Sequence, residues 1–534
     1  MRVRDHLTDH GLLFLMVFPN LVWILLDRGK WISDTSLYAL DATRLHHTLL
    51  HDTSRWWSEL LAVGPKPPIL PWVGQFFVEV GRLIGNIDIG LLFVIFGAQY
   101  GALWLLRQAL MAQWHERSLA LLGCLAVAST PMFIRLSSQF YVQSVQLLAV
   151  CWFLYVMMSS RKWDSLLTLL HLAAASALAM LAIVSSPIYC FVPGGIALAH
   201  AWANRKLPIE IRGTHRGMIV VAVAFATLAV FWYRRNLEEA LDYGRFGFTW
   251  AYGANVRNVF WLKLADWIRY VVFGFALTAA LLSLLVPWAA TLESKRDSRP
   301  RRRRDALVVS LLCVQVAVIL LAATAASQQT FRYIFPMVAY FAVLLTWSIY
   351  RLDKRWLKVS AAAALALQLV VTNAGLYLWD DQRFARDRRR YLDALEAVDS
   401  FTRASPGPAR ETVWLGIGEL GVYAFDAVYK ASKSDDYYHG RSPEYLSIET
   451  SFTSGEIDGD IEALWERIEG SQGADVVLMR SPPRLDERKA DDTWQPVIRA
   501  TIEITNRVRR SPKFEKIATP DSWELEIYRT IEGT

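Results

Sequence analysis

The residues best suited to chemistry lie between the first two apolar segments, over residues 27–88. The string Ser33-Asp34-Thr35-Ser36-Leu37-Tyr38 sets an acid and a tyrosine one helical turn apart, with Asp41 three residues further on. In a helix Asp34, Tyr38 and Asp41 project from one face. A solvated helix face is the plainer reading of the same pattern. Further along, Gly64-Pro65-Lys66-Pro67-Pro68-Ile69-Leu70 holds a lysine just before two prolines. Proline restricts the residue before it to extended geometry and fixes its own φ. A rigidly held cation at a membrane surface suits a phosphate, which it meets as a point charge with several donors. An acid, a tyrosine and a fixed lysine on one side of a membrane are equipment for handling a phosphorylated lipid.

A second group lies far away in the sequence. Arg332 and Tyr333 open an apolar run in Ser327-Gln-Gln-Thr-Phe-Arg-Tyr-Ile-Phe-Pro336. A charge at the mouth of a transmembrane helix is costly unless it is paired or functional. Arginine presents a planar fork matched to phosphate oxygens, and tyrosine adds a neutral donor. Arg135, which closes the third apolar run, is a candidate of the same kind, with headgroup anchoring as its alternative. His46, His47, His51 and Asp52 only loosely resemble a metal cluster: His47 and His51 stand at i and i+4, but no third ligand is evident. No metal site and no cofactor are expected, a divalent metal being the less favoured alternative.

The elements that position these residues belong to a membrane protein. Of the 534 residues, 54% are hydrophobic, and mean hydropathy is +0.24 although 20% are charged. Eleven apolar runs approach the length of about 20 residues that a bilayer-spanning helix needs. They cover residues 11–26, 89–106, 119–134, 142–158, 166–184, 188–203, 218–233, 267–290, 306–325, 334–350 and 359–378. Ser185-Ser186-Pro187 makes the break between the fifth and sixth. A retained first helix fits the N-terminus better than a cleaved signal peptide, because no small-residue cleavage pattern follows it. The net charge of +7 is concentrated in alternate loops, including Arg301–Arg304 and the basic residues of 351–358. That is the positive-inside pattern, with the N-terminus in the cytoplasm and the C-terminus outside, so the charge marks topology and not nucleic-acid binding. Arg135 and Arg332 are the exceptions on the outer side. The four cysteines lie inside apolar runs with no CxxC pair, which leaves no disulfide framework and no cysteine-based zinc site.

From about residue 380 the composition becomes that of a soluble protein. Helical patterns at 389–402 and 461–469 alternate with strand-like runs at 412–417, 474–479, 514–518 and 522–529. The expected fold is mainly α: a polytopic helix bundle over residues 1–379, with a structured first outer loop at 27–88, and an extracytoplasmic α/β domain over 380–534.

Asp-x-x-x-Tyr followed by Lys-Pro-Pro-Ile in the first outer loop, with Arg-Tyr-x-x-Pro opening a late span, resembles the GT-C glycosyltransferases. Within these it is similar to the protein mannosyltransferase-like and aminoarabinose transferase-like enzymes. The resemblance covers the membrane region, from about residue 11 to 378. It implies a GT-C bundle, a polyprenyl-phosphate-linked sugar as donor and an inverting transfer to a lipid, glycan or protein acceptor on the outer face of the plasma membrane. Carried over by position, Asp34 is the acid of the first outer loop, with Asp41 second. Tyr38 lines the site, and Lys66, Arg332, Tyr333 and Arg135 meet the donor phosphate. Two positions depart from the family pattern. Thr35 stands where many members have a glutamate, and Gln139 or Gln143 where many have an acid. A glutamine can line the site and orient a hydroxyl but cannot take its proton. The competing readings are a catalytically silent homologue that binds lipid-linked sugar, and a lipid or glycan transporter. Transport fits less well, because the spans carry almost no charge at mid-depth.

Overall fold

The computed structural model describes residues 3–26, 34–62, 66–206, 208–209, 211–249, 256–294, 300–325, 331–376, 413–416, 444–447, 461–469, 476–480, 495–517 and 525–531. The chain forms two compact units. One comprises Met1–Gly29, Ser54–Ala251 and Asn255–Asp380; the other comprises Lys30–Thr53, Tyr252–Ala254 and Asp381–Thr534.

In the first unit the helices are α1 (Val3–Leu26), α3 (Thr53–Leu61), α4 (Ile69–Ile84), α5 (Ile87–Trp114), α6 (Arg117–Ala128), α7 (Pro131–Arg135), α8 (Gln143–Ser159), α9 (Ser165–Ala182) and α10 (Ser186–Ala203). They continue with α11 (Gly213–Thr249), α12 (Val256–Phe275), α13 (Leu277–Ser294), α14 (Pro300–Ala325), α15 (Met337–Leu352) and α16 (Arg355–Gly375). Short 3-10 turns, η1 (Leu136–Ser138) and η2 (Phe331–Ile334), follow α7 and precede α15. α2 (Asp34–His51) falls in the second unit.

Six of these helices are long and apolar enough to cross a membrane, or eight spans if each of two bent pairs is counted as one. α8 and α15 are shorter apolar helices. Apolar side chains stand exposed along the helices of this unit, among them Phe191, Val220, Phe273 and Leu284. Such a surface is stable against lipid and would be an aggregation liability in water. The chain is therefore a multi-pass membrane protein.

Every apolar run expected to span is helical, but two are not single rods. The run at 119–134 bends by 61° between α6 and the segment from Pro131, and that at 267–290 bends by 105° between α12 and α13. The first bend has a local cause: Pro131 lacks an N–H and opens a new helix at its first turn. The second has none. Ala276 adopts φ 44°, a left-handed conformation that costs an alanine about 1–2 kcal/mol, so tertiary contacts must hold it. The expected break before α10 is present, where Ile183 is extended and Ser186 and Pro187 restart the helix.

α4 and α5 form the tightest crossing. Gly85 closes α4 at φ 82°, and the Asn86 side chain caps α5 by accepting from the Asp88 amide at 2.9 Å. At Gly90 a β-carbon would lie 2.4 Å from the Phe77 carbonyl oxygen and 2.5 Å from the Gly81 nitrogen. Only glycine lets the two backbones meet. At the ends of α1, α5 and α6, Asp9 bonds both Arg107 and Arg117, with Asp9 and Arg107 each 2% exposed. Asp164 caps α9 through the Leu167 amide and meets His215 Nε2 at 2.8 Å. Burial works against its charge, but those bonds hold the carboxyl below its usual range.

The second unit holds α2 and a five-stranded sheet in the order β2-β1-β3-β5-β4. Its strands are β1 (Val413–Gly416), β2 (Glu444–Ser447), β3 (Val476–Arg480), β4 (Phe514–Ile517) and β5 (Leu525–Thr530). β2, β1 and β3 are parallel, and β5 is antiparallel to both β3 and β4. α17 (Ile461–Glu469) and α18 (Gln495–Arg510) flank β3 in sequence, and Ile504 and Val508 of α18 are fully buried. β2 and α18 are absent from the sequence expectation, and the helix expected at 389–402 lies outside the described residues.

Replacing Gly90 with alanine is expected to lower unfolding stability in detergent by about 1–3 kcal/mol, because backbone meets backbone and neither can yield. Gly97→Ala, with open space at its β-carbon, serves as the control and should leave the unfolding midpoint unchanged.

Candidate functional site

Arg332 lies in η2, between α14 and α15. Its guanidinium carbon sits 4.6 Å from the centre of the Tyr141 ring and 5.7 Å from that of Tyr333. Stacking on an aromatic face offsets the desolvation of a half-buried guanidinium. The turn is held from below. Tyr340 of α15 donates through its hydroxyl to the Tyr189 carbonyl, and Tyr189 of α10 donates in turn to the Tyr333 carbonyl. Phe335 packs on Phe133 of α7 with ring centres 6.3 Å apart. These contacts bring η2 together with the segment from α7 to α8.

That segment carries Arg135, Gln139 and Gln143. Arg135 is exposed at the C-terminus of α7, and Gln139 is half-buried and extended after η1. Gln143 starts α8 and is 3% exposed; its Oε1 is buried with no hydrogen-bond partner among the described residues. Arg332, Tyr333, Tyr141 and the start of α8 thus combine a cation, a phenol and a buried amide acceptor. Such an arrangement suits an anionic group carried beside a hydroxyl.

Lys66 is half-buried, in the turn between α3 and α4, and Pro67 and Pro68 behind it are buried. Both flanks are pinned. Trp72 of α4 donates through Nε1 to the Leu60 carbonyl at 2.7 Å. Asn236 of α11 donates to the Leu61 carbonyl at 2.8 Å and to the Trp232 carbonyl at 2.9 Å. Asn236 is also where α11 departs from helical geometry, at φ −118° and ψ 15°. The amide satisfies carbonyls at the end of α3 while bridging a kink in its own helix.

Asp34 is the first residue of α2, and its side chain lies outside the described residues. The segment is helical, so Asp34, Tyr38 and Asp41 have the i, i+4, i+7 spacing expected of them. Tyr38 is 5% exposed and Asp41 half-buried. All three belong to the second unit, whereas Lys66, Arg135, Gln139, Gln143, Arg332 and Tyr333 belong to the first. The His47 and His51 rings are 4.3 Å apart. Among the described residues no group of three histidine, cysteine, aspartate or glutamate side chains is placed to hold a metal ion.

Tyr141, Tyr189 and Asn236 are not among the residues that the sequence marks out. Tyr141 sits in the same string as Gln139 and Gln143, but nothing local marks it as the platform beneath a residue 191 positions away. Asn236 had no such signal either: it lies past the apolar run at 218–233, between Arg234, Arg235 and Glu238, Glu239.

No protein-family model matches the chain, and no curated protein matches it either. Two solved structures match nearly its whole length. One is ArnT from Cupriavidus metallidurans bound to undecaprenyl phosphate, at TM-score 0.59 and 12% identity, covering 98% of this chain and 98% of that one. The other is ArnT from the same organism in the apo state, at TM-score 0.55 and 11% identity with the same coverage. At this identity the likeness is one of fold, and the fold is the GT-C fold that the sequence resemblance implied.

Asn236→Leu keeps the volume of the side chain but abandons the buried Leu61 carbonyl. It is expected to lower unfolding stability by about 1–3 kcal/mol. An unchanged unfolding midpoint would remove Asn236 from the support of Lys66.

Proposed function

We propose that this chain is a membrane glycosyltransferase. It moves a sugar from a polyprenyl-phosphate donor to an acceptor hydroxyl or phosphate, inverting the anomeric carbon, on the extracytoplasmic face of the plasma membrane. The observation that carries the reading is Arg332, stacked on Tyr141 and backed by Tyr333 at the buried start of α8. It lies within a bundle that shares its fold with ArnT, whose structure holds undecaprenyl phosphate. Topologically, residues 1–379 are the membrane domain, with the N-terminus cytoplasmic, and residues 380–534 the extracytoplasmic domain.

The chemistry follows from the leaving group. A lipid phosphate departs as an anion, so it needs charge stabilisation more than protonation. Arg332, Lys66 and the exposed Arg135 supply positive charge, and Tyr333 supplies a neutral donor. The attacking hydroxyl needs a base within hydrogen-bond reach. Asp34 takes that role on the grounds of its sequence motif, with Asp41 as second choice and Tyr38 lining the site. Gln139 and Gln143 orient the acceptor; the Gln143 Oε1 can accept from a hydroxyl but cannot remove its proton. The lipid donor already carries an activated sugar, so no nucleotide is required. The acceptor is a lipid, a glycan or a protein.

The test incubates purified protein with radiolabelled polyprenyl-phosphate sugars and a membrane-lipid extract, beside Asp34→Asn, Lys66→Ala and Arg332→Lys. Wild type is expected to transfer label. Loss of one fixed phosphate contact is expected to lower turnover on the order of 10²–10³-fold. Arg332→Lys keeps the charge but loses the planar fork and the stacking. Equal label from wild type and variants would overturn the residue assignments. Lipid binding without transfer from any donor would replace the enzyme with a binding homologue.

A further inference from the structure

The two bent spans both bond one side chain of α16. Gln368 of α16 is 7% exposed. Its Oε1 accepts from the Leu277 amide at 2.6 Å, and its Nε2 donates to the Ser129 carbonyl at 3.0 Å and the Ser129 hydroxyl at 3.1 Å. Leu277 is the first residue of α13, just after Ala276 at φ 44°. Ser129 follows the last residue of α6, just before Thr130 and Pro131. A helix start leaves amides without acceptors and a helix end leaves carbonyls without donors. Inside a bilayer no water serves either. A carboxamide is an uncharged side chain that offers one acceptor and a two-proton donor together, so Gln368 caps the start of one helix and the end of another. Thr278 adds a second link across the same junction, donating to the Ala126 carbonyl of α6 at 3.0 Å.

What lies beyond the junction is the candidate phosphate site. α7 leaves the α6 break and ends at Arg135. α12 leads into the Ala276 break and packs on both α7 and η2, the turn that carries Arg332. The α7–α12 contact is close: a β-carbon on Gly274 would lie 2.6 Å from the Met132 methyl group. Phe133 of α7 then reaches Phe335, beside η2. A change at the junction therefore moves the supports of both arginines.

We propose that Gln368 is a positioning residue: by capping both interrupted spans with one amide, it fixes α7 relative to α12 and so sets where Arg135 and Arg332 stand. The junction itself is independent of what the protein does; the effect on phosphate binding rests on the function proposed above.

The test is a distance measurement in lipid nanodiscs. Spin labels are placed at Ser138, directly after α7, and at the exposed Ile268 of α12, in a background with Cys313→Ser. Pulsed electron paramagnetic resonance is expected to give one narrow distance with Gln368 and a broadened distribution in Gln368→Met. The control is Gln75→Met, which removes an equally buried glutamine bonded at both ends, to Trp56 and to the Trp72 carbonyl. It should leave the distribution narrow. A narrow distribution in Gln368→Met, or equal broadening in Gln75→Met, would overturn the proposal. Should Gln368→Met not fold, Thr278→Val loosens the same junction with a near-isosteric side chain and is read in the same way. In unlabelled protein, Gln368→Met is expected to bind undecaprenyl phosphate roughly tenfold more weakly, as displaced contact groups do. Broadening with undiminished affinity would refute the positioning role. Failure of the wild type to bind that lipid would refute the proposed function and leave the distance result to decide the junction.

Discussion

A backbone that breaks inside a bilayer must find its hydrogen bonds within the protein, and most of what is distinctive in this bundle follows from that requirement. Each unpaired amide or carbonyl in hydrocarbon is penalised by several kcal/mol. The chain answers with side-chain amides and phenols sent from other helices. Gln368 serves both bent spans. Gln315 stands between the Ile188 carbonyl and the Val192 amide, the pair that would bond in an uninterrupted α10. Asn236 serves the end of α3. Tyr340 and Tyr189 serve carbonyls along α10 and η2. Irregular backbone is thus tied down by partners that also fix the helices relative to one another.

The same constraint explains why the candidate site can be rigid without being regular. Arg332 lies in a 3-10 turn and Lys66 in a proline-bounded turn; neither is carried by a long helix. A turn normally gives little positional precision. Here each is held on both sides, Lys66 by Trp72 and Asn236, Arg332 by Tyr141 and by the Tyr189 bond to its neighbour's carbonyl. Charge elsewhere in the bundle is treated differently. Arg107 is buried against Asp9, which also bonds Arg117, so one carboxylate meets both guanidiniums. Arg332 is stacked on tyrosine rings, whereas Arg107 is buried against a carboxylate.

Much of the architecture was legible because membrane helices are limited by length and composition. Apart from the breaks, the described residues of the eleven apolar runs are helical. The break at Pro131 was not read: the run at 119–134 was expected as one span, and a new helix starts at that proline. The soluble region was less legible: β2 is only four residues long and carries no alternation strong enough to separate it from a loop. α18 has many charges and a narrow apolar stripe, which hides a helix whose Ile504 and Val508 are buried.

The sequence alone determined which segments prefer lipid, where proline and glycine must interrupt or close them, and which residue types suit a phosphate. These are properties of a residue and its near neighbours: apolar length, a missing N–H, a missing β-carbon, a planar cation. Only the tertiary structure decided that the run at 267–290 turns by 105° at Ala276, and that Arg332 rests on Tyr141. No residue near Ala276 requires that turn. It persists because the Leu277 amide finds an acceptor 91 positions away, and the same Gln368 finds its second partner 239 positions away. A bond between such distant positions depends on the packing of several helices at once, and a local pattern carries no record of it.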